Sequence, residues 1–255
     1  MTARRGVRLT PVAPPSAGTP FIMARPFLTA AWRNLILAQY AVPEATVRPF
    51  LPPGVEPDRF DGRCFASLVG FQFLDTRVLG VGWPTFRHFP EWNLRIYARH
   101  EGRRGVVFVR EFVPQRLVAW VARVIYNEPY RRARLTMAVT DTPTSLTARY
   151  TVDYGGKVHE LAATGSKPAV RPGPDSLEHF FKEHSWGYGR TRRGKLIRYE
   201  VNHPEWDVYP VTDFHADVDW AKLYGPEWGV MTGRAPDSVV LADGSAVAVY
   251  PKGTA

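Results

Sequence analysis

Apolar and polar positions alternate with a period of two along much of the chain, the pattern of strands with one buried face. Trp92-Asn-Leu-Arg-Ile-Tyr-Ala98 alternates, Glu101-Gly-Arg-Arg-Gly105 turns and Val106 to Phe112 returns, which predicts a hairpin. The same logic predicts hairpins from Thr147 to Ala163 around Tyr154-Gly-Gly-Lys157 and from Tyr188 to Asn202 around Arg193-Gly194. Asp243-Gly244, between Val239-Val-Leu241 and Ala246-Val-Ala-Val249, is the strongest short hairpin signal. Cys64 to Leu74 is a nearly continuous apolar run and reads as a largely buried strand. Helical patterns are few. Pro114 opens one through about Tyr126, Pro43 to Arg48 form a turn before Pro49, and Asp175 caps a helix carrying Leu177, Phe180 and Phe181. Many strands with a few short helices predict an α+β chain, mainly antiparallel β, closed into a barrel or folded into a sandwich.

Composition narrows the functional classes. The chain has 255 residues, of which 33 are basic and 24 acidic, and the basic set is 27 arginines to 6 lysines. Residues 1–25 are proline-broken and hold Arg4, Arg5, Arg8 and Arg25 without an acidic residue, so they read as a disordered extension carrying nearly half of the +9 charge. Residues 26–255 show no linker and read as a single domain. The remaining basic runs sit mostly at turns, so no nucleic-acid partner is expected. An exposed segment from Arg190 to Arg198 that meets an acidic partner is a separate reading. No apolar stretch reaches membrane-spanning length, so no membrane partner is expected and a cytoplasmic location fits, as does the lone Cys64. A homo-oligomer is compatible with the composition. The nucleotide, nucleophile-elbow and metalloprotease motifs are absent, and the seven histidines lack zinc spacing, so neither a metal nor a cofactor is expected.

One constellation carries candidate chemistry. Glu91, Asn93, Arg95 and Tyr97 lie two apart, so a strand points them to one face while Trp92, Leu94 and Ile96 take the other. A solvent-facing polar strand and a buried polar lumen both satisfy that spacing. Glu91-Trp-Asn93-Leu-Arg95-Ile-Tyr97, with Gly102, Ala122-Arg123, Glu128-Pro129-Tyr130, His184-Ser-Trp186 and His203-Pro204-Glu-Trp206, resembles the uncharacterised DUF2071 (YqjF-like) family over about residues 27–215.

That resemblance implies the acetoacetate decarboxylase-like fold, a β-barrel with a few short helices and a polar cavity. The related decarboxylase uses a lysine amine as a Schiff-base nucleophile. Here the corresponding segment reads Pro129-Tyr130-Arg131-Arg132. An arginine stays protonated and cannot attack a carbonyl. Arg33 resembles the relative's carboxylate-binding arginine, and Arg33, Arg95 and Arg131 are expected to share one cavity. The expected ligand is a small carboxylate or carbonyl compound, held by Arg33, Asn93, Arg95, Tyr97, Tyr130, Arg131 and Trp186. Glu91 is the expected general acid or base, with His184 and His203 as proton carriers. The chemistry implied is of a lyase or proton-transfer type without a Schiff base. A non-catalytic binding or sensor protein using the same cavity is the alternative, and each histidine can equally pack its ring on a neighbouring aromatic.

Overall fold

The computed structural model describes residues 25–115, 129–182 and 184–254. Its strands are β1 (Leu28–Val42), β2 (Glu56–Pro57), β3 (Arg59–Phe60), β4 (Arg63–Val78), β5 (Phe89–His100), β6 (Arg103–Val113), β7 (Tyr130–Arg132) and β8 (Arg134–Asp141). They continue with β9 (Ser145–Tyr154), β10 (Lys157–Ser166), β11 (Trp186–Arg190), β12 (Leu196–Asn202), β13 (Val211–Asp217), β14 (Ser238–Val249) and β15 (Gly253–Thr254). Short α-helices cover Glu44–Val47, Leu177–Lys182 and Trp220–Tyr224.

Hydrogen bonding runs through β5, β4, β1, β14, β12, β11 and β6 in that order, and β6 pairs back to β5, so the path closes into a ring. Every pairing in the ring is antiparallel except β6 with β11. A second sheet, in the order β13-β10-β9-β8, packs on the ring. The main core lies between them: Ile36, Ala38, Leu68, Trp92 and Leu94 face Ala148, Tyr150, Val152 and Leu161, all fully or almost fully buried. Gly70 allows that approach, since a Cβ there would lie 2.8 Å from the Tyr150 ring.

Three predicted hairpins form, namely β5–β6, β9–β10 and β11–β12. Glu101-Gly102 and Gly155-Gly156 turn with positive φ at both central residues, the turn that matches strand twist. The predicted hairpin at Asp243-Gly244 does not form. Instead β14 runs unbroken through both residues and pairs with β1 along its length. Gly244 adopts φ +95°, and a Cβ there would lie 2.3 Å from the Trp32 carbonyl oxygen. Beside it in β1, Asn34 has φ +54°. At this irregularity both strands change which side chains face the ring interior, from Ala30 to Leu35 and Leu37 in β1 and from Val240 and Ala242 to Val247 in β14. Asp-Gly marks a positive-φ site, and such a site serves a bulge as well as a turn.

The apolar run from Cys64 becomes β4, and the predicted turn after Pro43 is helical. The helix Leu177–Lys182 forms, but its first turn is capped by Ser176, whose hydroxyl accepts from the His179 N–H at 3.1 Å, rather than by Asp175. The predicted helix from Pro114 to Tyr126 and the N-terminal extension fall on residues 116–128 and 1–24, outside the described residues. Among the described residues no helix is long and apolar enough to cross a membrane. Cys64 is buried, and burial pushes its thiol pKa up, which suits a core residue rather than a nucleophile.

Candidate functional site

The ring encloses a cavity of about 350 Å³. One of its walls is the inward row of β5. Alternation sends Trp92, Leu94 and Ile96 outward into the core between the sheets and Glu91, Asn93 and Arg95 inward. The outward row is buried, and in the polar row Glu91 and Asn93 are each 2 % exposed and Arg95 is half-buried, so this row faces the lumen rather than solvent.

Glu91 is held from two sides. Asn93 Nδ2 donates to its Oε1 and the Tyr130 hydroxyl donates to its Oε2, each at 2.9 Å. Burial pushes the Glu91 pKa up to about 7, and it does so against Asn93, Tyr130 and the Arg95 charge, all of which pull it down. A carboxyl group poised near neutrality can both give and take a proton. The Tyr130 pKa is raised well above its ordinary value, first by burial and then by the negative charges of Glu111 and Glu91. Asn93 Oδ1 and Arg95 Nε find no hydrogen-bond partner in the protein, and the Arg95 guanidinium lies 5.7 Å from the Tyr97 ring centre.

Glu111, 2 % exposed, also lines the cavity, and the sequence pattern missed it. Counting back from the Glu101-Gly102 turn in regular register pairs Asn93 with Arg110. In the structure Val109 is an extra residue: Arg95 pairs with Phe108 but Leu94 with Arg110 and Asn93 with Glu111. The bulge thus turns a carboxylate inward, while Arg110 donates to the Leu223 carbonyl.

A second polar group sits where β11 begins. His184 Nε2 lies 3.0 Å from Asp58 Oδ2, and Arg104 Nε donates to the same oxygen at 2.7 Å. Burial drives the His184 pKa down to about 4 against the pull of Asp58. The Asp58 pKa is raised by burial but lowered more by His184 and Arg104, and its net shift is downward. With Asp58 ionised and His184 neutral, the shared proton sits on Nε2, which leaves Nδ1 as a buried lone pair with no partner in the protein. Asp58 and Arg104 carry no local motif, because they meet His184 only through tertiary packing. Tyr97 belongs to this neighbourhood: it is buried, its ring is 4.7 Å from His184, and burial raises its pKa.

His203 and Trp186 also line the cavity. The His203 ring stacks on Trp206 at 4.5 Å with Nδ1 3.0 Å from the Pro204 carbonyl oxygen. Arg103 lies over the Trp186 ring at 4.8 Å. Lys182, at the end of the helix Leu177–Lys182, is 2 % exposed and lines the cavity, a residue that no sequence motif marked.

The three expected arginines do not converge. Arg33 lies within β1 beside the Asn34 irregularity and pairs with Asp243 at 3.5 Å instead of lining the cavity. Arg131 is exposed on β7, because alternation turns Tyr130 inward and its neighbour outward. Among the three, Arg95 alone lines the cavity. Arg190 and Arg198, the ends of the alternative acidic-partner segment, are engaged within the fold by the Pro49 carbonyl at 3.2 Å and by Glu101 at 3.0 Å. Among the described residues no cluster of three or more His, Cys, Asp or Glu side chains could hold a metal ion.

A family model for DUF2071, described as an uncharacterized conserved protein, matches residues 29–246. The uncharacterized protein YqjF of Bacillus subtilis (strain 168) is 27 % identical over 195 residues, covering 72 % of this chain and 79 % of that protein. Solved structures share the fold, three of them as follows. An acetoacetate decarboxylase-like enzyme from Sphingomonas wittichii RW1 aligns with a TM-score of 0.65 at 12 % identity, over 94 % of this chain and 99 % of its own. The enduracididine biosynthesis enzyme MppR, complexed with pyruvate, aligns with a TM-score of 0.63 at 16 % identity, over 94 % of each chain. Acetoacetate decarboxylase from Legionella pneumophila aligns with a TM-score of 0.61 at 14 % identity, over 94 % of this chain and 92 % of its own.

Proposed function

The chain belongs to the DUF2071 family, and we propose that its ring acts as a barrel whose lumen binds a small carboxylate or carbonyl compound and performs proton-transfer or lyase-type chemistry on it. The observation that carries this reading is Glu91, a buried carboxyl with a pKa near 7, hydrogen-bonded to Asn93 and Tyr130 beside the Arg95 guanidinium. Such a group suits proton exchange with a carbon next to a carbonyl, while Arg95 stabilises the negative charge that develops. His184 Nδ1 offers a second, neutral base whose tautomer Asp58 fixes. Position 131 contributes no amine, since it holds an exposed arginine. That a structure of the same fold, MppR, is complexed with pyruvate supports a keto-acid ligand.

The test is turnover of keto acids, hydroxy acids and lactones by wild type and Glu91→Gln. General acid–base catalysis is worth roughly 10²- to 10⁴-fold, so the variant is expected to lose at least about 100-fold in kcat, with a wild-type pH profile that bends near 7. The second reading is a non-catalytic binder or sensor, favoured by the aromatic walls of the cavity. Ligand binding in both proteins with turnover in neither would establish it.

A further inference from the structure

Glu91, Asn93, Arg95 and Glu111 form one polar wall of the cavity, and Lys182, His184 and His203 add polar atoms elsewhere. Much of the remaining lining is aromatic: Phe73 stacks on Phe89 at 4.8 Å, and Trp32 stands edge-on to Phe71, Phe73 and Trp206 at 5.6, 6.2 and 6.1 Å. This surface continues to Val81 and Trp83, which line the cavity although they are 52 % and 58 % exposed, so they mark its mouth. Next to them Leu79, at the Leu79-Gly80 turn between Val78 and Val81, is 73 % exposed. The mouth therefore presents apolar side chains outward.

The dimensions point the same way. From Asn93 to Phe89 is four strand residues, or about 13 Å. A volume of about 350 Å³ falls in the range of pockets for drug-sized ligands, roughly 300–1,000 Å³. A three-carbon keto acid would leave most of the aromatic wall uncovered. Resting on the reading that the Glu91–Arg95 wall takes a carboxylate or carbonyl head, we propose that the ligand also carries an apolar body, an aromatic group or a medium-length alkyl chain, which runs past Phe71, Phe73 and Phe89 to Trp83. Arg95 Nε–H, which finds no acceptor in the protein, is the donor for the head.

The experiment is isothermal titration of wild type and Trp83→Ala with pyruvate, 2-oxohexanoate, 2-oxodecanoate, phenylpyruvate and decanol. Affinity is expected to rise about fourfold per buried methylene through the 2-oxo acids. Phenylpyruvate is expected to bind more tightly than pyruvate. Trp83 is exposed at the mouth, so its truncation leaves the core packing in place, and the affinity ratio of 2-oxodecanoate to pyruvate is expected to fall about tenfold. Equal binding of pyruvate and 2-oxodecanoate overturns the apolar body and leaves the head-binding reading intact. Decanol binding as tightly as 2-oxodecanoate overturns the head, and no binding by any probe overturns both.

Discussion

Two buried titratable groups, Glu91 and His184, set opposite pH dependences. Glu91 has a folded pKa of about 7 against an ordinary 4.5, so the unfolded chain releases its proton first and stability falls as pH rises between those values. His184 has a folded pKa of about 4 against 6.5, so the unfolded chain takes up a proton first and stability rises with pH over that window. Each shift corresponds to about 3 kcal/mol. Between pH 4.5 and 6.5 the two contributions oppose each other and the wild type is expected to be nearly flat. Glu91→Gln removes one of them. Its stability, measured by urea unfolding, is expected to climb by about 3 kcal/mol from pH 4 to 6.5 and to exceed that of the wild type at pH 8. A flat profile in the variant would mean that His184 is not buried as a neutral ring. Glu91 is thus held at a cost to stability above neutral pH, a common property of functional groups.

Among the elements, the positive-φ sites decide which faces meet. Gly244 has no space for a Cβ, which would sit 2.3 Å from the Trp32 carbonyl oxygen. Gly244→Ala is expected to cost about 3 kcal/mol or more in chemical denaturation, because it adds backbone strain to a steric clash. Asn34→Gly, at φ +54°, keeps the backbone conformation and loses only the 2.7 Å hydrogen bond to Gln72, so about 1 kcal/mol is expected. The hairpins around Glu101-Gly102 and Gly155-Gly156 were legible because turn residues act locally. The same local preference at Asp243-Gly244 was misleading, because a positive φ does not say whether the chain reverses or continues. The Val109 bulge was illegible for a related reason: nothing in Val107-Phe-Val-Arg110 marks the extra residue, yet it puts Glu111 rather than Arg110 opposite Asn93.

For the whole molecule, the high arginine content becomes an account of ion pairing. Arg171 pairs with Glu205 and Asp207, Arg63 with Asp237, Arg59 with Glu44 and Arg198 with Glu101. Most of these pairs are exposed and individually worth little to stability. A ligand that binds only the closed ring adds to its stability by mass action. At a hundred times its Kd the gain is about 2.7 kcal/mol, which for a chain of this size is a Tm rise of roughly 5–10 °C. A thermal-shift screen of 2-oxo acids is expected to show it in wild type.

The period-two pattern by itself determined the mainly antiparallel class, three of the four hairpins and the shared face of Glu91, Asn93 and Arg95, since alternation and turn chemistry are properties of neighbouring residues. Tertiary structure alone decided that this face is a lumen, because a polar row reads the same toward water as toward a cavity. It also decided that Arg33 and Arg131 lie outside the lumen while Glu111, Asp58 and Lys182 join the site or its support. Those outcomes depend on the closure of β6 onto β5, on strand irregularities that reverse parity, and on contacts between residues more than a hundred positions apart, such as Asp58 and His184.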